Sequence, residues 1–333
     1  MAACAVTWLA VGCGGASELP YTVLLTNVAP GALTVDDANV IWWNYQNVGD
    51  GLVERVPKSE IDASHVEVLG PGTQPAGAGG AVFTTTADDT SVTLLRYTGP
   101  GQVTTMATVA GYGRFVAADG DNVYFEAFEF GSEITTIWAQ PLDGTPLRMV
   151  TQDAHGQPYA LVIDGGELFW SVDATRSTLA EAGVGSRLVK VSTAGGSAQV
   201  VHAAPFMINP LAVDASGIFF FVNDDAQFLT SSQTLFSTDR NGGALVQLAS
   251  LARDGYFEGA NALATDGNDL YWPTLSDRIQ RMPKTGGPIA TLTTVQSLKT
   301  LALDADAIYF SAWNGTSAAA SNGTLMRMPK PVR

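Results

Sequence analysis

The sequence predicts an all-β fold: a seven-bladed β-propeller of four-stranded blades, with the ring closed by an N-terminal strand. Three observations carry that prediction. Aromatic residues occupy one equivalent position in seven successive segments, at Trp42, Phe83, Phe125, Trp170, Phe220, Trp272 and Phe310. Aromatics are only 9% of the chain, so a column filled in every segment marks an internal repeat. Six of the seven segments also place an aspartate six residues earlier (Asp36, Asp119, Asp164, Asp214, Asp266 and Asp304), and the remaining one has Gly77 there. Finally, the two ends complement each other. The last unit stops at 328–333 one strand short, and Tyr21-Thr22-Val23-Leu24-Leu25-Thr26 resembles the strand it lacks.

Successive aromatic markers are 41, 42, 45, 50, 52 and 38 residues apart. Each unit opens with an apolar run ending in the aspartate, as in Leu211-Ala212-Val213-Asp214. A β-branched or leucine position and aromatics follow, as in Leu270-Tyr271-Trp272. After a variable loop comes an alternating strand such as Ile279-Gln280-Arg281-Met282. A Gly-Gly turn then leads to a last short strand such as Ile289-Ala290-Thr291-Leu292. Four short strands rich in β-branched and aromatic residues within one such period are the blade of a propeller. No segment sustains a 3.6-residue apolar period with caps, so almost no helix is expected.

The acidic column reads as a turn cap. In Asp266-Gly267-Asn268-Asp269 the carboxylate can accept backbone N–H groups two residues on, while Gly or Asn takes positive φ. No stretch has the alternating ligands and terminal Glu of a calcium loop. The aromatic column reads as packing between blades, where flat rings bury a large area per residue. Residues 21–333 are expected to form one propeller domain and residues 1–18 a leader and short tether. The second unit is the weakest, because its first strand falls in the Gly/Pro-rich stretch 70–80. Without it the count would be six.

Residues 1–18 are an apolar run ending in small residues around Cys13. This resembles a bacterial lipoprotein leader, in which cleavage precedes a lipidated Cys. The positive segment of a signal peptide is missing, since the first Lys or Arg is Arg55. The expected location is the bacterial cell envelope, with Cys13 as the lipid anchor, or secretion. The two cysteines, Cys4 and Cys13, both lie in this segment, so the repeat region carries no disulfide, cysteine nucleophile or zinc–cysteine site. With 32 acidic against 17 basic residues the net charge is −15, and no Lys/Arg cluster offers a nucleic-acid-binding face. A monomer is expected.

In a propeller, loops between the first and second and the third and fourth strands share one face. Those between the second and third strands and between blades share the other. The first set is short here, whereas the second varies widely: 171–186, 222–233 and 311–322 are long and 273–277 is tight. Variable loops on a rigid scaffold are the usual place for binding. These loops carry Tyr45, Phe128, Phe130, Phe228 and Trp313 among many acids. A second candidate is the tunnel mouth, where each innermost strand begins. Five residues before the acidic column the units carry Gly31, Gly72, Arg114, Tyr159, Asn209, Asn261 and Lys299, a polar and slightly basic ring in an acidic chain. Ligand-binding candidates are therefore Arg114, Tyr159, Asn209, Asn261 and Lys299 at the mouth, with Tyr45, Phe128, Phe228 and Trp313 above it.

Catalytic signals are poor. Of the three histidines, His65 falls in an expected outer strand. His155 and His202 fall at blade-to-blade connections and are the weak catalytic candidates. Neither has a Ser or Asp partner by spacing, no His-x-x-x-His spacing suggests a metal, and no cofactor is implied.

The unit Asp266-x-x-x-Leu-Tyr-Trp272 followed by Ile279-x-Arg-Met-Pro-Lys-x-Gly-Gly287 resembles repeats of secreted bacterial β-propellers, of Tyr-Trp-Thr-Asp-type and TolB-like propellers. Arg55-Val56-Pro57-Lys58 and Arg327-Met328-Pro329-Lys330 repeat its second half. The resemblance implies the fold and an exported location. It carries over no functional residue, because such propellers host binding, scaffolding and enzymatic roles alike. Receptor propellers of this type have six blades, and the full Tyr-Trp-Thr-Asp string is absent, Tyr271-Trp272-Pro273-Thr274 being nearest. The function expected is non-enzymatic binding of a protein, peptide or glycan through the long-loop face. The alternative is a hydrolase or lyase at the tunnel mouth, with His155 or His202 as base.

Overall fold

The computed structural model describes residues 18–44, 51–153, 156–173, 184–223, 233–251, 263–274, 276–313 and 323–331. Seven four-stranded antiparallel sheets follow one another in chain order. Blades 1 to 6 span 30–71, 73–110, 116–153, 157–204, 208–251 and 264–294. Blade 7 spans 298–329 and borrows Thr22–Val28 as its outermost strand. That strand pairs antiparallel with Gly323–Pro329, from Thr22↔Arg327 to Val28↔Gly323, and buries Leu25 and Val28. The ring closes as the chain ends predict.

Blade 2 is complete, so the count is seven and not six. Its inner strand, Thr73–Ala78, crosses the Gly/Pro-rich stretch by a register shift between Thr73 and Ala76. Pro75 has no N–H to give the ladder and is tolerated at such a bulge. The one helical element among the described residues is a single turn, Ala63–His65, capped by Asp62. His65 sits in this turn and not in the outer strand that follows, Glu67–Pro71. Its Nδ1 lies 2.8 Å from Asp62 Oδ2 and its Nε2 3.1 Å from Glu60 Oε2, on an exposed surface.

All seven marker aromatics lie on second strands and are at most 1% exposed. All but Phe83 pack back onto the preceding blade, Trp170 against Phe115, Tyr124 and Ile137, and Trp272 against Phe219, Phe221 and Leu235. In blade 2 the order is reversed, Phe83 facing blade 3 and Val82 facing blade 1. In the other six blades the residue before the marker faces the following blade. Phe169 joins the cluster of blade 5, and Tyr309 that of blade 1. Paired aromatics on one strand thus weld a blade to both neighbours, which is why the column tolerates Trp or Phe and nothing smaller.

The carboxylates of Asp36, Asp119, Asp214, Asp266 and Asp304 cap their turns as predicted, but Gly120, Gly267 and Asn268 do not take the positive φ expected of them, because these turns keep ordinary right-handed backbone. Asp304 Oδ1 accepts the N–H groups of Asp306 and Ala307 at 3.0 and 2.8 Å. Asp36, Asp119 and Asp266 repeat the arrangement. The structure adds a second role that no single repeat reveals. The lysine of each Pro-Lys turn reaches the aspartate of the preceding blade. Lys58 meets Asp304 at 2.8 Å, Lys284 meets Asp214 at 2.6 Å, and Lys330 meets Asp266 at 3.6 Å. Arg240 takes the same part against Asp164, and its guanidinium lies 4.9 Å over the Phe169 ring. Where the column lacks its aspartate, at Gly77 in blade 2, the following blade offers Leu142 in place of lysine, packed into the apolar cluster of Ala81 and Phe83.

Burial alone would push Asp304 up, but the Lys58 ammonium and the two turn N–H groups outweigh it and hold the carboxyl down at about 2. A depressed carboxyl contributes stability above its unfolded value that is lost as pH falls through about 2. Asp304→Asn, which keeps an acceptor for the turn, is expected to cost about 1 kcal/mol. Asp304→Ala, which loses turn and pair, is expected to cost about 2 kcal/mol. Urea melts of the Asp304→Asn, Lys58→Met and double variants give the coupling, which should vanish as pH approaches 2.

Candidate functional site at the long-loop mouth

The inner strands begin on the long-loop face, and five of the seven are interrupted there by a β-bulge. Ladder register shifts between Pro30 and Ala32, Pro158 and Ala160, Ile208 and Leu211, and Leu298 and Thr300. The extra residues are Gly31, Tyr159, Asn209 with Pro210, and Lys299. A bulged residue leaves the ladder and its side chain is re-aimed, a common device at barrel rims and beside sites. Four members of the polar ring predicted from sequence thus share a backbone reason for their position. In blade 2 the bulge is at Gln74 and Pro75, and Gly72 precedes the strand. Asn261 lies outside the described residues.

Arg114 is also outside the ladder, because the inner strand of blade 3 starts at Val116. What replaces the ladder is a side chain. Glu126, 2% exposed, accepts the backbone N–H groups of Arg114 and Phe115, each at 2.8 Å. Burial pushes the Glu126 carboxyl up to about 8, against the opposing pull of those N–H groups and the Arg114 charge. Sequence reading missed Glu126. The signal was the residue after each marker, which reads Trp43, Thr84, Glu126, Ser171, Phe221, Pro273 and Ser311. Glu126 is the one ionisable member. This column faces the bulges. Thr84 Oγ1 donates to Thr73 O, and Ser311 Oγ donates to Pro30 O in blade 1 at 2.9 Å. A Cβ on Gly31 would sit 3.0 Å from the Trp43 ring, so any larger residue there makes the ring give way.

Two cation–aromatic groups stand on this rim. Arg114 lies 5.8 Å from the Tyr112 ring and 5.7 Å from that of Phe115. Phe130, 65% exposed, packs on Tyr112 and on Phe128 at 5.7 and 5.2 Å, with Phe128 buried beneath it. In blade 7, Lys299 Nζ lies 5.6 Å over the Trp313 ring, uniting a mouth candidate with a loop candidate. His202 is elsewhere. It lies on the outer strand Gln199–Ala204 of blade 4, half-buried, with its ring 5.5 Å from Phe220 of blade 5. Burial pushes its imidazole down. Tyr45, His155, Phe228 and Cys13 lie outside the described residues. Among the described residues no group of three or more His, Cys, Asp or Glu could hold a metal ion. Below the mouth the channel, about 270 Å³, is walled by the inner strands at residues such as Leu33, Val162, Leu211, Leu263 and Leu301.

Because Glu126 holds its proton more tightly when folded, the stability it contributes is present below its unfolded value and lost as pH rises towards about 8. The wild type is therefore expected to lose stability relative to Glu126→Gln by about 1.4 kcal/mol per pH unit in that window. Urea midpoints of both proteins from pH 5 to pH 8 check this. Parallel curves would show that the carboxyl does not titrate there.

Fold and site define a seven-bladed β-propeller with a bulged, cation- and aromatic-lined mouth. No protein-family model matches the chain, and no curated protein matches its sequence. Solved structures do match. The β-propeller domain of the Trilobed protease from Pyrococcus furiosus has a TM-score of 0.62 at 8% identity, over 90% of this chain and 95% of that one. It is described as having an open velcro topology, whereas here Thr22–Val28 closes the ring on Gly323–Pro329. An oligogalacturonate lyase from Vibrio parahaemolyticus has a TM-score of 0.62 at 10% identity, over 94% of both chains. BamB from Moraxella catarrhalis has a TM-score of 0.51 at 13% identity, over 94% of this chain and 84% of that one. At these identities the likeness is one of fold.

Proposed function

We propose that the protein is a non-enzymatic β-propeller of the bacterial cell envelope, anchored through Cys13, that binds a protein, peptide or glycan through its long-loop face. The observation that carries this reading is the bulged mouth, where Arg114 and Lys299 leave the ladder beside Tyr112 and Trp313, and exposed Phe130 packs on Tyr112. Exposed rings beside cations supply stacking area and orienting charge at low entropic cost. The test is binding of glycan and peptide arrays by the intact protein and by an Arg114→Ala, Lys299→Ala, Trp313→Ala triple variant. A ligand whose retention falls at least tenfold in the variant supports the reading; equal retention contradicts it. Cys13→Ser should release the protein from the membrane fraction.

A second reading, a hydrolase or lyase at the mouth, is favoured by one observation. Glu126 is a buried, proton-holding carboxyl next to Arg114. Buried carboxyls of this kind serve as general acids. Turnover that is lost in Glu126→Gln, with folding intact, would favour it.

A further inference from the structure

In every blade one third-strand residue lies opposite the residue that precedes the marker aromatic. Around the ring this column reads Arg55, Tyr97, Ala139, Lys190, Ser237, Arg281 and Arg327. Most members are long and cationic, and each such side chain lies at the short-loop end of its blade. Lys190 donates to Glu167 at 2.9 Å and to Asn241 at 2.8 Å. Arg281 meets Asp269 at 2.9 Å, and Arg327 lies 5.8 Å over the Tyr309 ring. Ala139 is short, but Arg148 stands across from it on the neighbouring strand and donates to Thr193 O in blade 4. Blade 2 fills the position with the Tyr97 ring, and only blade 5 leaves it without a long side chain. Ser237 is short, its cross-strand neighbour is Val246, and the position of Glu167 and Asp269 is taken by Gly217.

The space left is a cleft of about 480 Å³ between blades 5 and 6, on the face opposite the long loops. Ser216, Phe219, Ser237, Asp239, Asn268 and Lys284 line it. We propose that this cleft binds an organic cation of the alkylguanidinium or alkylammonium class, seated where five of the other blades place their own Arg or Lys.

The chemistry follows from the other blades. The ring at this position accepts two cations at once: Lys58 and Arg327 both lie 5.8 Å from the centre of Tyr309. Phe219 already carries Lys284 at 5.7 Å, the counterpart of Lys58. Lys284 does not repel the guest with a full charge, because Asp214 Oδ2 holds its ammonium at 2.6 Å and Ser216 Oγ at 2.9 Å. Asp239 supplies the negative wall. Its Oδ1 is fixed by the N–H groups of Asn241 and Gly243 at 2.7 and 3.2 Å, so the carboxylate is held in place before any ligand arrives. The net charge of −15 draws cations to the surface. This site is independent of the long-loop mouth.

Calorimetric titration of the full chain tests it with three probes: agmatine, a capped peptide with one central arginine, and the same peptide with citrulline. Agmatine and the arginine peptide should bind saturably, with a dissociation constant of about 1 mM or tighter. The citrulline peptide, isosteric and neutral, should not bind. Ser237→Arg supplies the missing side chain and should abolish binding. Asp239→Asn keeps the turn acceptor and should weaken binding at least fivefold, which guards against a folding defect in the first variant. Binding of the arginine peptide alone would assign the cation to a protein partner, and binding of both to the free group. No binding of either cation, or binding unchanged in Ser237→Arg, overturns the proposal.

Discussion

Removal of residues 18–28 will cost the protein about 5 kcal/mol, the largest loss expected from any change outside the blades' own cores. The estimate rests on Leu25 and Val28, both buried, and on Leu24, which is half-buried against the same cluster. Burying such side chains contributes about 1.5–3 kcal/mol each. The deletion also uncovers the whole of Gly323–Pro329 as an edge, and an unpaired edge is a template for aggregation. The expected result is therefore an earlier unfolding transition together with concentration-dependent association in analytical ultracentrifugation. Adding the peptide 18–28 in trans should reverse both. A truncated protein that melts like the full chain would show that blade 7 is complete without its borrowed strand.

Trp170→Ala will cost about 3–5 kcal/mol. Trp170 is fully buried and joins blades 3 and 4 through Phe115, Tyr124 and Ile137. No single neighbour can collapse into the space, because the ring is wedged between two sheets fixed by their own ladders. Trp170→Phe should restore most of the loss, since the indole N–H of Trp170 has no protein hydrogen-bond partner among the described residues. Trp42→Phe should be worse than Trp170→Phe. The indole of Trp42 donates to Glu54 at 2.7 Å, and removing that donor leaves a buried carboxyl less satisfied. Phe130→Ala, 65% exposed, should lie within about 0.5 kcal/mol of wild type. Urea midpoints of the four variants rank these claims.

The fold was legible because a propeller writes the same local chemistry many times. A tight turn needs its capping acid, and a packed blade needs its flat ring, so Asp304 and Phe310 recur as Asp266 and Trp272. Both columns could be read without knowing what they touch. What they touch was not legible, because the contacts cross blades. Lys58 and Asp304 are opposite ends of the chain, and only ring closure makes them neighbours. The Pro-Lys motif was visible as a repeat, but its purpose, reaching the previous blade's aspartate, depends on the angle between sheets. The mouth was half legible. A column count placed Tyr159, Asn209 and Lys299 together, and the bulges supply the reason. It misplaced blade 2, where Pro75 moved the bulge two residues on from Gly72. It overlooked Glu126, since a single acid in a strand gives no periodic signal and its role comes from the backbone N–H groups it faces. The cleft at Ser237 is a subtraction from the repeat, and becomes visible only when each blade is laid against the others.

The most direct test of the long-loop face as the proposed binding surface is a cross-linking capture from whole lysate of the source cells. The intact protein is compared with a form in which 173–185 and 223–232 are shortened, and with the Arg114→Ala, Lys299→Ala, Trp313→Ala variant, all at equal folded concentration. A partner held by the intact protein and lost by both altered forms is the predicted result. A partner retained equally by all three would place recognition elsewhere on the ring and contradict the account.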